Sequence, residues 1–478
     1  MKLTELIKGI SYRLVGNCEI EGIELDAVTT KSHDATPAHL YICTRTALRD
    51  GHYAAEVAYQ GGCRLFLAER TLVLPPDATV LVVEDTEALA GELAARLMGH
   101  PARRMTLLGV SGSVGKSSVA CMLFSMLRAA GRRAAAILPS GILEEGGFSR
   151  FGNTVPDGVE IAEILRDFEA NGVEYVILAL SAYMLEHKAA FSLPFAAVLL
   201  TNLSPELPGR GECPNPRAHC RAVASLLACD APFKLLPTEL DLACEGGRLL
   251  RLGEGGDFSA RDIHSCDDGG GSSFLLTYPG GSANAHTPVP GRAAVSNALA
   301  ASALAVTVGL GEREILEGLR QPVPGMLECI ADFSGRRIYR DTAYSPEALT
   351  RALLTLGECC RGKLTVLLGS VGGRAKARRL PLAAAAERQA DFVYLTADNP
   401  DTEDPMQICT RMAQGFEDAS RYVIIPDRQA AIERAVLEMR PGDVLLLAGK
   451  GRECFQLVNG QRLPFDERKI VLGLAKHF

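Results

Sequence analysis

The sequence predicts an α/β fold that is divided into three domains. The chain has 478 residues, and at roughly 150 residues per domain about three domains are expected. Residues 173–180 and 195–202 form continuous apolar runs, which are typical of strands buried on both faces of a parallel sheet. From residue 323 onward, strand and helix patterns alternate, which indicates an open sheet of βα units.

Two changes of pattern suggest the domain boundaries. Residues 1–102 mix short strand patterns with helical stretches, and a charged segment that contains Pro101 then interrupts them. Residues 103–322 open with a strand pattern and include a stretch rich in Gly, Ser and Asp at 253–284, which is typical of turns with short strands between them. Residues 323–478 carry the βα alternation, so their ligand should bind at the carboxyl ends of the strands.

Composition argues against several classes of protein. The net charge is -7, so no general electrostatic attraction to nucleic acid is expected. The 14 cysteines are scattered without a C-x-x-C motif, which favours a reducing cytoplasm over a secreted disulfide framework or a zinc site. No apolar run reaches the roughly 18 residues of a membrane span, and the N-terminus lacks a cleavage site. We therefore expect a soluble cytoplasmic protein.

A phosphate-binding loop is the strongest single motif. Residues 109–118 read GVSGSVGKSS and follow an apolar strand pattern. Glycines at 112 and 115 let backbone N–H groups turn toward an anion, and Lys116 can reach the outer phosphates. The Ser117 hydroxyl can bind Mg²⁺, and the start of the following helix favours negative charge. Because Val110 stands where the standard spacing has its first glycine, a turn that only joins strand to helix is the alternative.

The order of short motifs resembles the Mur ligase family, and within it the UDP-N-acetylmuramyl-tripeptide synthetases. The family's phosphate loop reads G-T-N-G-K-T-T, and residues 112–118 follow it with GSVGKSS. Further motifs match in family order over nearly the whole chain: DGH (50–52), NTVP (153–156), TNLSPE (201–206), PGRAAVSNALAA (290–301), VPGMLE (323–328), DTAYSP (341–346), TADNPDTEDP (396–405), PDRQAAI (426–432) and GKGRE (449–453).

The resemblance implies a three-domain Mur ligase architecture. The first domain would hold a UDP-sugar, the second would be a P-loop ATPase, and the third would be a Rossmann-like domain for the incoming amino acid. The implied enzyme phosphorylates a peptide carboxylate with ATP, and the amine then displaces phosphate to give an amide. Such a reaction needs Mg²⁺ and correct positioning of carboxylate and amine. The implied partners are a UDP-N-acetylmuramyl-peptide and an amino acid, with no nucleic acid and no membrane insertion.

The resemblance also assigns the nucleotide site residue by residue. Lys116 and Glu206 receive catalytic roles, and Ser117 and Glu206 are the implied Mg²⁺ ligands. The implied contacts to ATP come from Gly112, Ser113, Gly115, Lys116, Ser117, Ser118, Asn297 and Asp341. For Glu206, Asn297 and Asp341, the alternative is an ordinary surface or capping polar group.

Several residues of the family's catalytic motifs are missing. Ala179 stands at a metal carboxylate, Leu207 at a histidine, and Val223 at a lysine that the family carries in carbamylated form. A second Mg²⁺ needs anionic ligands, which these residues do not supply. A second hypothesis is therefore a catalytically impaired relative that binds nucleotide or precursor and regulates or scaffolds a partner ligase. An unrelated P-loop ATPase or kinase would leave the C-terminal motifs unexplained.

On the substrate side, the family pattern is only partly kept. The resemblance assigns substrate contacts to Ser32, Asn153, Thr154, Arg374, Asp398, Asn399, Asp401, Gly449 and Glu453. The family uses an arginine at position 401 to hold the distal carboxylate of diaminopimelate, and Asp401 would repel that group. We therefore expect lysine or ornithine to be favoured over diaminopimelate. The alternative is that residues 398–401 form only a turn, because Asp, Asn and Pro are ordinary turn formers.

Overall fold

The computed structural model describes residues 1–478 apart from 17–19, 46–49, 140, 152–154, 205–214, 266–269, 324, 326 and 374–375. The chain divides into two compact units. The first comprises residues 1–256 and 301–314, and the second comprises 257–300 and 315–478. Both are built from sheets and helices, as the predicted α/β class requires. The division at residues 102 and 322 stays a prediction.

The first unit begins with a five-stranded sheet and its helices. The elements are α1 (Leu3–Leu6), β1 (Arg13–Val15), β2 (Ala27–Thr29), β3 (His39–Ile42), α2 (Ala55–Gln60), β4 (Leu65–Ala68), β5 (Thr79–Val82) and α3 (Thr86–Leu97). The strand order is β1-β5-β4-β3-β2. Only β1 is antiparallel to its neighbour, and the other pairs are parallel. The helix α3 starts where the Asp85 side chain accepts a hydrogen bond from the Ala88 N–H group.

An eight-stranded sheet completes the first unit, in the order β13-β12-β11-β6-β10-β7-β8-β9. Its elements are β6 (Thr106–Ser111), α4 (Lys116–Ala129), β7 (Ala134–Leu138), β8 (Gly141–Glu144), β9 (Gly147–Arg150), α5 (Gly158–Ala170), β10 (Tyr175–Ala179), α6 (Ala182–Glu186), β11 (Phe195–Leu200), α7 (Pro216–Ala224), β12 (Phe233–Pro237) and β13 (Arg248–Leu252). Strand β6 lies between β10 and β11 and is parallel to both. The two apolar runs at 173–180 and 195–202 are confirmed as buried strands, β10 and β11.

The second unit contains a three-stranded antiparallel sheet made of β14 (Ser259–Ser265), β15 (Ser272–Tyr278) and β16 (Gly281–Thr287). These strands come from the stretch rich in Gly, Ser and Asp, so the prediction of turns with short strands is confirmed. The helices α8 (Arg292–Thr307) and α9 (Glu312–Leu319) follow, and each includes residues of both units.

A six-stranded sheet forms the main layer of the second unit, in the order β17-β18-β22-β19-β20-β21. All its pairs are parallel except β17 with β18, so the loops after β18, β19, β20 and β22 leave from one edge. The elements are β17 (Glu328–Asp332), β18 (Arg337–Asp341), α10 (Pro346–Cys359), β19 (Leu364–Leu368), α11 (Arg379–Gln389), β20 (Phe392–Leu395), α12 (Pro405–Ala413), β21 (Tyr422–Ile424), α13 (Arg428–Leu437), β22 (Val444–Ala448), the hairpin β23 (Phe455–Val458) and β24 (Gln461–Pro464), and α14 (Glu467–Gly473).

None of the helices that the structure describes is both long enough and apolar enough to cross a bilayer.

Candidate functional site

The predicted phosphate loop joins the central strand β6 to the helix α4. Strand β6 ends at Ser111 and α4 begins at Lys116. Gly112 and Gly115 both have positive φ, 137° and 89°, which side-chain-bearing residues rarely adopt. A Cβ at Gly112 would overlap the Oγ1 atom of Thr201. The loop therefore requires glycine at 112, as the interpretation of a phosphate-binding loop predicts.

The Lys116 side chain folds back over this loop. Its Nζ donates to the carbonyl oxygens of Gly112 at 2.5 Å and Ser113 at 3.0 Å. Ser117 and Ser118 follow in the first turn of α4, at the end of the helix whose partial positive charge favours an anion. An anion in front of this turn would lie near the ammonium of Lys116 as well. These residues therefore lie together between strand and helix, and their contact with a nucleotide stays a prediction.

An asparagine that the sequence analysis did not single out fixes the loop. The Asn202 side chain accepts from the Val114 N–H at 3.1 Å and donates to the Val114 carbonyl at 2.8 Å. Its backbone carbonyl also accepts from the Ser113 N–H at 3.3 Å. Asn202 is the second residue after β11 and lies in the TNLSPE motif, in which the resemblance assigns a role only to Glu206. The match to the family motif is the sequence signal that could have identified Asn202.

Two further polar residues meet the loop at Ser113. The Ser113 hydroxyl donates to the Ser204 carbonyl at 2.7 Å and accepts from the Ser204 N–H at 2.9 Å. The Nε2 atom of His219, on α7, lies 3.2 Å from the same hydroxyl oxygen. Ser113 was assigned to the nucleotide, yet its hydroxyl and its N–H both bond to protein groups here.

Two of the positions where catalytic groups are missing hold buried apolar side chains. Val223 is 0% exposed and packs in the core of the first unit with Ala222, Leu226 and Leu227. Ala179 is also 0% exposed and pairs with Val110 at the end of β10. Both side chains are therefore inaccessible to solvent, and neither supplies a metal ligand.

The side chains present determine whether Mg²⁺ could bind at this site. Among the described residues no group of three or more His, Cys, Asp and Glu side chains could hold a metal ion. The hydroxyl of Ser117 is an oxygen donor of the kind that Mg²⁺ accepts when phosphate oxygens complete its coordination. A single Mg²⁺ ion that is also bound by nucleotide phosphates therefore fits the Ser117 hydroxyl. The described residues do not form a Mg²⁺ site from protein ligands alone. Glu206 and Leu207 lie outside the described residues.

The second unit brings four predicted substrate residues together around a lysine. Lys450 is 0% exposed, and its Nζ donates to Asn399 Oδ1 at 2.9 Å and to Glu453 Oε2 at 3.1 Å. The Asn399 amide in turn donates to Glu453 Oε2 at 2.8 Å. Asp398 Oδ1 lies 3.5 Å from the ammonium, and a Cβ at Gly449 would lie 3.3 Å from Asp398 Oδ2. Lys450 stands in the GKGRE motif but was not assigned a role.

Asp401 forms part of a turn in this loop. Its φ is 53°, in the left-handed region, and its Oδ1 accepts from the Gly460 N–H at 2.8 Å. Its own N–H donates to the Leu457 carbonyl at 2.9 Å. Asp401 thus anchors the hairpin of β23 and β24, which agrees with the turn alternative. Within the described part of the chain, no hydrogen bond to the Oδ2 atom of Asp401 is formed.

Asp341 ends β18 and is held by two backbone groups. Its carboxylate oxygens accept from the Leu327 and Ala343 N–H groups, each at 2.7 Å. Burial raises the pKa of Asp341 to about 6, and these two hydrogen bonds act in the opposite direction. Both carboxylate oxygens of Asp341 are therefore held by the backbone, and its contact with a ribose stays a prediction.

The remaining predicted contacts are dispersed. Asn297 is half-buried on α8. Ser32 is buried beside Lys31, whose Nζ donates to Glu160 Oε1 at 2.6 Å. This ion pair joins the segment that carries Ser32 to α5. Asn153, Thr154 and Arg374 lie outside the described residues.

The chain combines a glycine-rich loop between a central strand and a helix with an open α/β sheet that has a buried polar cluster at its carboxyl edge. Residues 110–206 match the family model described as Mur ligase middle domain, and residues 327–451 match the model of the Mur ligase, glutamate ligase domain. A UDP-N-acetylmuramoyl-L-alanyl-D-glutamate–2,6-diaminopimelate ligase of Syntrophomonas wolfei is 30% identical, over 100% of this chain and 99% of its own. The chain belongs to the Mur ligase family.

Other relatives and solved structures agree with this assignment. The ligase of the same name from Caldanaerobacter subterraneus subsp. tengcongensis is 28% identical over 98% of each chain. A solved structure of a ligase of that name gives a TM-score of 0.68 at 22% identity, covering 100% of this chain and 99% of the other. MurF ligase from Thermotoga maritima in complex with ADP gives 0.56 at 18% identity, covering 96% and 98%. The predicted three-domain Mur ligase architecture is confirmed.

Proposed function

We propose that this protein is an ATP-dependent ligase that adds an amino acid to a UDP-N-acetylmuramyl-peptide in peptidoglycan precursor synthesis, in the cytoplasm. The observation that carries the proposal is the phosphate loop with Lys116 and Ser117 at the centre of the first unit's sheet, in a chain of this family. The names of the relatives describe the same type of reaction, with 2,6-diaminopimelate as the amino acid.

The chemistry assigns a task to each side chain of the loop. A carboxylate oxygen of the peptide attacks the γ-phosphorus of ATP, the bond to the β–γ bridging oxygen breaks, and ADP leaves. The amine then attacks the acyl carbon and inorganic phosphate departs, with loss of a proton from the amine. Lys116 would leave the carbonyls of Gly112 and Ser113 and meet the outer phosphates, while the first turn of α4 binds phosphate oxygens through N–H groups.

Mg²⁺ would be held by the Ser117 hydroxyl together with phosphate oxygens, and Glu206 is a further proposed ligand. When bound, the ion supplies charge neutralisation on the β- and γ-phosphates. With alanine and valine buried at positions 179 and 223, we propose that one metal ion serves this site.

For the amino acid, we propose a diamino acid held near Asn399, Asp401 and Glu453. The negative charge of the Asp401 carboxylate favours a side-chain ammonium and disfavours a distal carboxylate, so lysine or ornithine should be used in preference to diaminopimelate. This ranking differs from the names of the relatives, which specify 2,6-diaminopimelate, so a direct competition between the three amino acids decides it.

The test is phosphate release from Mg-ATP with UDP-N-acetylmuramyl-dipeptide and each amino acid in turn. We expect release that requires both the dipeptide and a diamino acid. Lys116→Ala should abolish it, because the ammonium that meets the transferred phosphoryl group is removed. Lys188→Ala, which removes an exposed lysine paired with Asp85, is the matched control and should retain activity. Release that is unchanged in Lys116→Ala would contradict the assignment of this loop.

A second candidate function is a catalytically impaired relative that binds nucleotide and regulates a partner ligase. The closed, apolar positions of Ala179 and Val223 favour it specifically. Under this alternative, Mg-ADP binds in wild-type protein and is lost in Lys116→Ala, while no combination of dipeptide and amino acid releases phosphate.

A further inference from the structure

We propose that His219 is a positioning residue for the nucleotide: its Nε2–H group fixes the Ser113 hydroxyl and thereby holds the phosphate loop ready for the phosphates. The inference rests on the proposed use of this loop for ATP. It concerns a side chain on α7, outside the loop itself, and its effect passes through Ser113.

The hydrogen bonds of the Ser113 hydroxyl bear on which tautomer His219 adopts. A serine hydroxyl has one donor and two acceptor positions. The donor is directed at the Ser204 carbonyl at 2.7 Å, and one acceptor position receives the Ser204 N–H at 2.9 Å. With the hydroxyl proton assigned to the shorter bond to Ser204, the 3.2 Å contact to His219 Nε2 is a bond donated by the histidine. In this assignment the Nε2-protonated tautomer fills the second acceptor position of the hydroxyl.

The position of His219 makes this bond rigid. His219 is 8% exposed and belongs to the buried face of α7 with Ala218, Ala222 and Val223. The helix is anchored at its start, where Asn215 accepts from the Ala218 N–H group. A histidine held in this way has little freedom to turn away from Ser113.

The consequence is a loop whose main chain is fixed before any nucleotide arrives. The Ser113 N–H is bonded to Asn202, and both main-chain groups of Val114 are bonded to the Asn202 amide. The Ser113 side chain adds a tether to Ser204 and, through His219, to α7. A loop ordered in advance does not lose conformational entropy on binding, so its affinity for phosphate is higher.

The experiment measures Mg-ADP binding by titration calorimetry in the full-length chain. His219→Leu should weaken binding by about threefold to tenfold, the size expected for one buried hydrogen bond. His219→Gln, whose amide can replace the donor, should recover most of the loss. In a Ser113→Ala background, His219→Leu should have no further effect, because the two side chains act through one bond. Cys220→Ala, at a half-buried position outside the buried face of α7, is the control.

A second readout does not depend on nucleotide. Hydrogen exchange of the segment 107–118 in the nucleotide-free protein should be faster in His219→Leu than in wild type, and close to wild type in His219→Gln. Additive losses in the double variant, or unchanged exchange in His219→Leu, would overturn the positioning role. If wild type fails to bind Mg-ADP, the proposed function falls, and the exchange result still decides whether His219 holds the loop.

Discussion

At the scale of single residues, the pair of Arg379 and Glu403 shows how one ion pair organises two loops of the second unit. The Arg379 guanidinium donates to both Glu403 oxygens, at 2.7 and 2.8 Å, and to the Val371 carbonyl at 3.2 Å. Glu403 also accepts from the Gly373 N–H at 3.0 Å. The loop after β19 is therefore tied to the segment that follows Asp401. Bidentate arginine–carboxylate pairs are among the stronger hydrogen-bonded ion pairs in proteins.

This pair predicts an acid-dependent loss of stability. The hydrogen bonds from Arg379 lower the pKa of Glu403 from 4.5 to about 2. Because the folded state holds the carboxylate more acidic than the unfolded state does, the stabilisation is complete above about pH 4.5. It is lost as the pH falls toward 2. Denaturant unfolding of wild type and Glu403→Gln should differ most at neutral pH, by about 1 kcal/mol once solvent screening is included, and should converge as the pH falls below 2. A difference that stays constant from pH 7 to 2 would contradict this role of the ion pair.

At the scale of elements, the start of α13 ties two strand ends together. Arg428, its first residue, donates to the Ala397 carbonyl at 3.1 Å, just after β20, and to the Ala448 carbonyl at 3.0 Å, at the end of β22. Its side chain pairs with Glu467 at 2.7 Å, and both side chains are 0% exposed. The loops that leave these two strand ends carry Asn399 and Lys450. The position of α13 thus sets the geometry of the predicted amino-acid site.

We expect Arg428→Lys to impair the amino-acid side selectively. A lysine keeps the charge opposite Glu467 but lacks the planar fork that reaches both carbonyls. The KM for the amino acid should rise by about tenfold or more, from the loss of two hydrogen bonds, while the KM for ATP changes little. Arg434→Lys, in an exposed pair with Glu438 on the same helix, should leave both constants unchanged. Equal rises in both KM values would show a general structural defect instead.

At the scale of the whole molecule, local patterns predicted the elements well and distant polar pairing poorly. The strand β6, the glycines and Lys116 lie within a few residues of one another, so their arrangement could be predicted from the sequence. His219 reaches Ser113 from 106 residues away, and no local pattern encodes that contact. Lys450 and Asn399 are likewise 51 residues apart.

The predicted domain boundaries at residues 102 and 322 stay predictions. Residues 257–300 belong to the same compact unit as residues 315–478. Sequence order alone does not decide which core a segment packs against, because that depends on contacts between residues far apart in the chain. Asp401 shows a related limit at one position, since turn formation and ligand binding require the same residue type.

The most direct test of the central claim is mass spectrometry of the product formed from Mg-ATP, UDP-N-acetylmuramyl-dipeptide and a mixture of lysine, ornithine and diaminopimelate. We expect a UDP-N-acetylmuramyl-tripeptide, heavier than the dipeptide by lysine or ornithine less one water, with one phosphate released per amide formed. Phosphate release without any tripeptide, or no turnover despite binding of Mg-ADP, would contradict the proposed ligase activity.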